Sequence, residues 1–284
     1  MTLGNNSAAQ KHAEDMLTND YFSHWGIDGL KPYMRYTLAG GFNYEAENVF
    51  YYSGGGSSLQ RDLKEILDDA EESLMGSEGH RINILNKWHR KVNVGLAYGK
   101  ESLFLVQQFE GDYITFDESP SIQDGTLSLS GKTLAGFVVE GIQVRYDQPP
   151  HALTSGQLRM TYAYFLGQPA AFIRPPPPPG SHYLESETVY SWKTLVDPYE
   201  VSPDTPPSFP PSSLRRTPPP PLVVQKTVKW IDARSWNVSG SSFMIDVDLS
   251  VILSDFGKGV YTVVIWGESV DEFESLTNYS IFVE

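Results

Sequence analysis

The sequence predicts an α+β fold: a helical segment that closes in a β-hairpin, followed by an all-β, sandwich-like region. Two observations carry this. Apolar residues recur at helical spacing through the first third of the chain, and past residue 117 that period vanishes. There, short β-branched and aromatic runs alternate with Gly, Pro and Asp, and strands without helices imply a sandwich or barrel. A third observation sets the organisation: 18 of the 20 prolines lie between Pro149 and Pro221. Proline runs favour extended polyproline II and cannot join a sheet interior. A Pro-rich loop is therefore expected at about residues 197–221, with 1–116 and 117–284 as the two regions of the chain.

The elements follow in order. Ser7-Ala8-Ala9-Gln10 has capping-box spacing, and Ala9, Ala13, Met16 and Leu17 continue as a helix. A second helix starts near Leu30, with Pro32 in its first turn and Gly40-Gly41 as its stop. The third is the clearest: Leu59, Leu63, Ile66, Leu67, Ala70 and Leu74 form one stripe, with Ser58 as cap and Gly76 at the end. Val92–Tyr98 and Leu103–Phe109 flank a Gly99-Lys100 turn and read as a hairpin. Further strands are expected at Thr126–Leu129, Gly136–Tyr146, Gln157–Phe165, Val189–Leu195, Val223–Ile231, Phe243–Leu253, Val260–Trp266 and Tyr279–Val283. The last four are too few to stand alone without disulfides or metal, so they are expected to pack on the strands before the Pro-rich loop.

Composition excludes several functions. The chain has 284 residues, 21 basic against 35 acidic, for a net charge of −14. That argues against nucleic-acid binding, which needs a basic face, and against adhesion to anionic lipid by charge. No apolar run approaches the ~20 residues of a membrane span. With no cysteine there is no thiol nucleophile, disulfide framework or Cys-ligated metal. The start, Met1-Thr2-Leu3-Gly4-Asn5, has neither a charged n-region nor an apolar h-region, so no signal peptide is read there. Three N-x-S triplets begin at Asn5, Asn237 and Asn278.

The chemistry concentrates in the helical part. His24 follows the first helix in Tyr21-Phe22-Ser23-His24-Trp25-Gly26, and His80 follows the third in Gly76-Ser77-Glu78-Gly79-His80. A carboxylate is available from Glu45-Ala46-Glu47. Two imidazoles and a carboxylate are a donor set for zinc or another divalent metal, and the same trio suits acid–base work or simple cross-bracing of loops. Ser23 and Ser77 lie beside histidines in sequence, which does not make a triad. Gly54-Gly55-Gly56-Ser57-Ser58 lacks the Lys-Ser/Thr ending of a phosphate loop. Arg90-Lys91 reads as a solvated basic spot; Trp230, Trp236 and Trp266 read as core, with a sugar-stacking face as the alternative; Asp246 and Asp248 share one strand face without a calcium-loop motif.

From about residue 5 to 116 the chain resembles the CAP superfamily (cysteine-rich secretory proteins, antigen 5 and pathogenesis-related proteins; SCP-like domain) in its prokaryotic form. The blocks are Ala8-Ala9-Gln10-Lys11-His12-Ala13, Ser23-His24, Ala46-Glu47-Asn48-Val49, Leu74-Met75-Gly76-Ser77-Glu78-Gly79-His80-Arg81-Ile82-Asn83-Ile84-Leu85, and the hairpin through Val94-Gly95-Leu96-Ala97 and Gln107-Gln108-Phe109. The resemblance implies an α-β-α sandwich, a secreted or cell-surface protein, and a cavity with two His and two acidic residues. By position these are His24, Glu47 and His80 as metal-binding residues. The family's fourth position holds Ser77, and Glu78, in place of the usual Pro, supplies a carboxylate instead. Ala46 stands where Gly is usual and Leu74 where Trp is usual. The family has a helix before the Ala-Ala-Gln block, so upstream truncation of that helix and of an export signal is expected.

Two functions follow. One is an exported binding protein whose His/Glu cavity takes a divalent metal or small apolar ligand, fused to a β-rich module that recognises or anchors surface material; small molecules, lipid, or a surface glycan or protein are its partner classes. The other is a metal-assisted hydrolase with Glu47 as general base.

Overall fold

The computed structural model describes residues 1–54, 61–194, 197–202, 222–270 and 272–284. In chain order its elements are β1 (Thr2–Leu3), α1 (Ala8–Asn19), α2 (Pro32–Leu38), β2 (Glu45–Ser53), α3 (Leu63–Gly76), α4 (Glu78–Leu85), β3 (Lys91–Tyr98) and β4 (Ser102–Glu110). There follow β5 (Ile114–Phe116), β6 (Ser121–Gln123), β7 (Thr126–Thr133), β8 (Val138–Asp147), α5 (Ser155–Leu158), β9 (Gln168–Arg174) and β10 (Glu187–Thr194). The chain closes with β11 (Leu222–Asp232), β12 (Ser235–Ser239), β13 (Ser242–Asp248), α6 (Ser250–Phe256), β14 (Gly259–Glu268) and β15 (Phe273–Val283).

The first part is a four-stranded sheet in the order β1-β3-β4-β2 with helices on both faces. Strand alternation assigns the faces. Phe104 and Val106 of β4 pack with Ala9, Ala13 and Met16 of α1, while Leu103 and Leu105 pack with Ile66, Ala70 and Leu74 of α3. α1 sits very close to β3: a Cβ placed on Gly95 would lie 2.1 Å from the Ala9 carbonyl oxygen. Gln10 then reaches the strand, accepting from Leu96 N at 2.9 Å and donating to Leu96 O at 3.1 Å.

That use of Gln10 replaces the capping box expected from Ser7. Ser7 makes no side-chain cap, and Asn6 Oδ1 instead accepts from Ala8 N. α3 starts at Leu63 behind Asp62, whose carboxylate accepts from Lys64 N. The expected cap Ser58, the first stripe residue Leu59 and most of the Gly-Ser loop lie outside the described residues, as does the Pro-rich stretch 203–221. Pro175 to Pro178 follow β9 without regular structure.

The second part is two packed sheets. Six strands run in the order β10-β11-β9-β8-β14-β15 and five strands form the other sheet, β12-β13-β7-β5 with β6 paired to β7. Both sheets mix strands from before and after the Pro-rich stretch, and one apolar core lies between them, including Leu127, Ile142, Val144, Ile245, Val263 and Ile265. Two expected strands are corrected. Gln157–Phe165 is the helix end of α5 and irregular chain, because Thr154 forms a capping box with Gln157. Phe243–Leu253 is strand only to Asp248 and then turns into α6. The strands β2, β5, β6, β9 and β12 were not among those read from the sequence. Of the three tryptophans, Trp236 packs against the sandwich core, and Trp230 and Trp266 are half-buried beside Phe172 and Phe273.

The two parts lie face to face. Val260 and Phe282 of the six-stranded sheet pack with Tyr33 and Met34 of α2. Asn278 of β15 accepts from Glu45 N and donates to Glu45 O, both at 3.0 Å, tying β2 to the second part. The N-x-S asparagine at 278 is thus buried and committed, whereas Asn5 and Asn237 are exposed.

Candidate functional site

The site is built where β2, the edge strand, meets α2 and the chain after α1. Residues alternate across a strand, so Glu45 and Glu47 point to one face and Asn48 to the other. Glu47 is buried and both its oxygens are engaged: Oε1 by His24 Nδ1 at 2.9 Å and Oε2 by Arg35 Nη2 at 3.0 Å. Burial opposes ionisation of Glu47, but the charge of Arg35, that of His12 and His24, and the hydrogen bond from His24 outweigh it and hold the carboxyl at about 2. Glu47 is therefore an ionised carboxylate that fixes the orientation and tautomer of His24: Nδ1 carries the proton and faces the acid.

Arg35 is placed by α2, where it stands between the buried side chains Met34 and Tyr36. Its Nη1 donates to Leu30 O at 2.7 Å, so the guanidinium bridges the helix entry and Glu47. Beside this cluster lies His12 of α1, fully buried, with Nε2 at 2.9 Å from Ser23 O. Burial and then the Arg35 charge push the His12 imidazole down to about 4. Glu45 goes the other way: burial first, then the Glu47 charge, raise it well above the ordinary carboxyl range. Two carboxyls on one strand face are thus shifted in opposite directions by their neighbours.

His80 arrives separately. It lies in α4, not in a loop after α3, because Ser77 is extended and restarts the helix at Glu78. Asn48 anchors α4 to β2: its Nδ2 donates to His80 O at 3.1 Å and its Oδ1 accepts from Asn83 at 2.9 Å. Burial, with the charge of His24 second, pushes the His80 imidazole down, which sets the two imidazoles as electrostatic neighbours. The structure therefore brings His24 and Glu47 into contact, and leaves His80 within electrostatic reach of His24. Ser77 and Glu78 make no hydrogen bond to His24, Glu47 or Arg35, and Glu78 is exposed. Ser23 Oγ donates to Thr161 O and accepts from Trp25 N at 3.1 Å, so it is committed elsewhere. Among the described residues no three His, Asp or Glu side chains stand together as a set able to hold a metal ion.

The second part of the chain roofs this site. His24 N donates to Tyr162 O at 3.0 Å, Trp25 Nε1 to Ala163 O at 3.2 Å, and Lys31 Nζ to Phe165 O at 3.0 Å. The Tyr164 ring lies 5.2 Å from the His24 ring and 6.1 Å from Tyr33. Tyr164 also lines a cavity of about 660 Å³ whose walls combine Trp25, Phe165 and Tyr199 with the charged residues Lys31, Asp147 and Asp197. Arg35, His12 and Tyr164 were not among the candidate residues of the sequence. Arg35 carried a signal, a lone cation in the apolar run Pro32-Tyr33-Met34-Arg35-Tyr36; Tyr164 carried none, since it joins from more than a hundred residues away.

No family model matches the chain, and no curated protein matches it. Among solved structures it is similar to an extracellular protein containing a SCP domain from Bacillus anthracis str. Ames, with 27% sequence identity, a TM-score of 0.31, and coverage of 39% of this chain and 34% of that chain. The overlap is about a third of that protein's length, and at this score the superposition is local rather than a likeness of the whole molecule.

Proposed function

We propose that the chain is an exported CAP-like binding protein that takes a small, partly apolar molecule in the cavity lined by Tyr164, with the His24–Glu47–Arg35 cluster behind that ring and the β-sandwich as a recognition or anchoring module. Export rests on the resemblance of the sequence blocks around His24, Glu47 and His80. One observation carries the ligand reading: Tyr164 is shared, packing on His24 and lining a cavity of about 660 Å³. That volume falls in the ~300–1,000 Å³ range of small-molecule sites, and its aromatic walls suit an apolar body while Lys31, Asp147, Asp197 and Glu200 on the same lining suit a polar end. Nile red is a suitable neutral probe. It should bind saturably at one site, and Phe165→Glu, at a half-exposed wall position, should weaken binding by about tenfold or more. No saturable binding, or unchanged binding by the variant, overturns the reading.

A second reading has a specific observation in its favour. Because Nδ1 of His24 is taken by Glu47, its Nε2 is the nitrogen left for a ligand, and His80 is an imidazole within electrostatic reach of it. A divalent cation would then be held by the two imidazoles, with Glu47 behind His24 rather than as a ligand. Calorimetric titration with zinc tests it: His80→Ala should abolish binding and Glu47→Gln should weaken it roughly 10- to 100-fold. Binding untouched by His80→Ala removes it.

A further inference from the structure

The cavity lined by Tyr164 carries an excess of negative charge on an aromatic wall. The rings of Trp25, Tyr164, Trp192 and Tyr199 border it, and so do the side chains of Lys31, Asp147, Asp197 and Glu200. Lys31 and Asp147 neutralise each other: Lys31 Nζ donates to Asp147 Oδ1 at 2.6 Å and also to Phe165 O at 3.0 Å. Asp197 and Glu200 are left over. A single helical turn, Pro198–Glu200, positions both, with Asp197 as its cap. Gln157 pins that turn, its Nε2 donating to Pro198 O at 3.2 Å and to Val201 O at 2.9 Å. Asp197 Oδ1 accepts from Tyr199 N at 3.0 Å, a neutral partner, and Glu200 is exposed. Neither carboxylate forms an ion pair among the described residues. The Tyr199 phenol feels the excess: burial pushes it up, and the charges of Asp197, Asp147 and Asp28 push the same way.

We infer that the guest of this cavity, given that it is the ligand site proposed above, is a small organic cation: an apolar or aromatic body carrying one positive charge. An anionic guest would meet Asp197 and Glu200 with no free cation to receive it, because Lys31, the one cation on the described lining, is already paired. A neutral guest would displace water from the carboxylates without replacing the solvation they lose. A cation supplies the counter-charge, and it gains further from aromatic ring faces, which attract positive charge where aliphatic walls do not. One wall ring already seats a cation, with Lys31 Nζ 4.8 Å from the ring centre of Trp25. Rings and carboxylates select by charge and not by the number of N–H donors, so primary and quaternary ammonium heads both serve. The aromatic walls take the body, and the cavity volume of about 660 Å³ leaves room for a ring and its charged head together.

The test is calorimetric titration of the full chain with three compounds that share a benzyl body and differ at the head: benzylammonium, benzyl alcohol and phenylacetate. Benzylammonium should bind about tenfold or more tighter than benzyl alcohol, and phenylacetate should bind most weakly of the three. Benzyltrimethylammonium should bind within about threefold of benzylammonium. Asp197→Asn combined with Glu200→Gln should lower the ratio of benzylammonium to benzyl alcohol affinity about tenfold. Asn still caps the turn at 197, and a ratio cancels any general loosening of the cavity. The cationic class is overturned if benzyl alcohol or phenylacetate binds as well as benzylammonium, or if the double variant leaves the ratio where it was. In either case saturable binding of Nile red still upholds the cavity as a ligand site. If neither Nile red nor any of these compounds binds, the ligand site itself is overturned and the cationic class falls with it.

Discussion

At the residue scale, the buried titratable groups around Glu47 make stability depend on pH in a calculable direction. The His12 imidazole has an ordinary value of 6.5 and is held at about 4 in the fold, chiefly by burial and by Arg35. Between those values the unfolded chain holds a proton that the folded chain does not. Stability contributed by neutral His12 is therefore fully present above about pH 6.5 and is lost as pH falls toward 4, by about 3 kcal/mol over the window. Urea midpoints of the natural chain and of His12→Gln, compared at pH 7 and pH 4.5, read this directly. The natural chain should lose markedly more stability between the two; equal losses would mean that His12 is not the group responsible. His12 was legible in the sequence only as part of the Ala-Ala-Gln-Lys-His-Ala block. Its burial follows from position, since it shares the inward face of α1 with Ala8, Ala9, Ala13 and Met16.

At the scale of elements, the closest packing in the first part is between α1 and β3. Gly95 has no room for a Cβ, because the helix backbone at Ala9 and Gln10 lies against it. Gly95→Ala should push α1 off the sheet and cost about 1–3 kcal/mol, the range for overpacking a rigid contact. A thermal melt checks it, and a variant as stable as the natural chain would show that α1 can shift freely. The hairpin of β3 and β4, the helix α3 and the short α2 were all legible, because each has a clean period or clear punctuation. β2 was not. It reads Glu-Ala-Glu-Asn-Val-Phe-Tyr-Tyr-Ser, with three polar residues buried at its start, so no apolar alternation marks it as a strand. Those polar residues are the site, which is why propensity misses the strand that carries Glu47. α4 was hidden for another reason: Gly76 ends one helix and Glu78 starts the next, with only Ser77 between them.

At the scale of the whole molecule, one buried ionic cluster joins the two parts. Asp147, at the end of β8, accepts from Lys31 Nζ at 2.6 Å and from Tyr33 Oη at 2.7 Å, and Lys31 is almost fully buried. Removing the carboxylate leaves a buried ammonium without a counter-charge and takes the carboxylate acceptor from a buried phenol. Asp147→Ala should destabilise the fold by about 3–5 kcal/mol, and Lys31→Met in the same chain should recover part of that loss. A double-mutant cycle by chemical denaturation measures both. If Asp147→Ala costs under about 1 kcal/mol, the seam relaxes or admits water there. The same seam explains why the candidate site is roofed: the chain from Leu153 to Phe165 lies along residues 19–31, so His24 is covered by residues of the sandwich region.

The α+β class, the helices with a sustained period, most strands past residue 117, and the candidacy of His24, Glu47 and His80 are all written in the order of the residues. These are local or blockwise properties, set by side-chain periodicity and by turn residues within a few positions of one another. Folding in three dimensions adds that Arg35 neutralises Glu47, that His80 comes within electrostatic reach of His24 on a helix pinned by Asn48, and that Tyr164 closes over the imidazole. Each is a pairing of groups distant along the chain. Such pairings are governed by which faces must be buried together and by which buried charges must then find partners, and neither condition has a trace in local spacing.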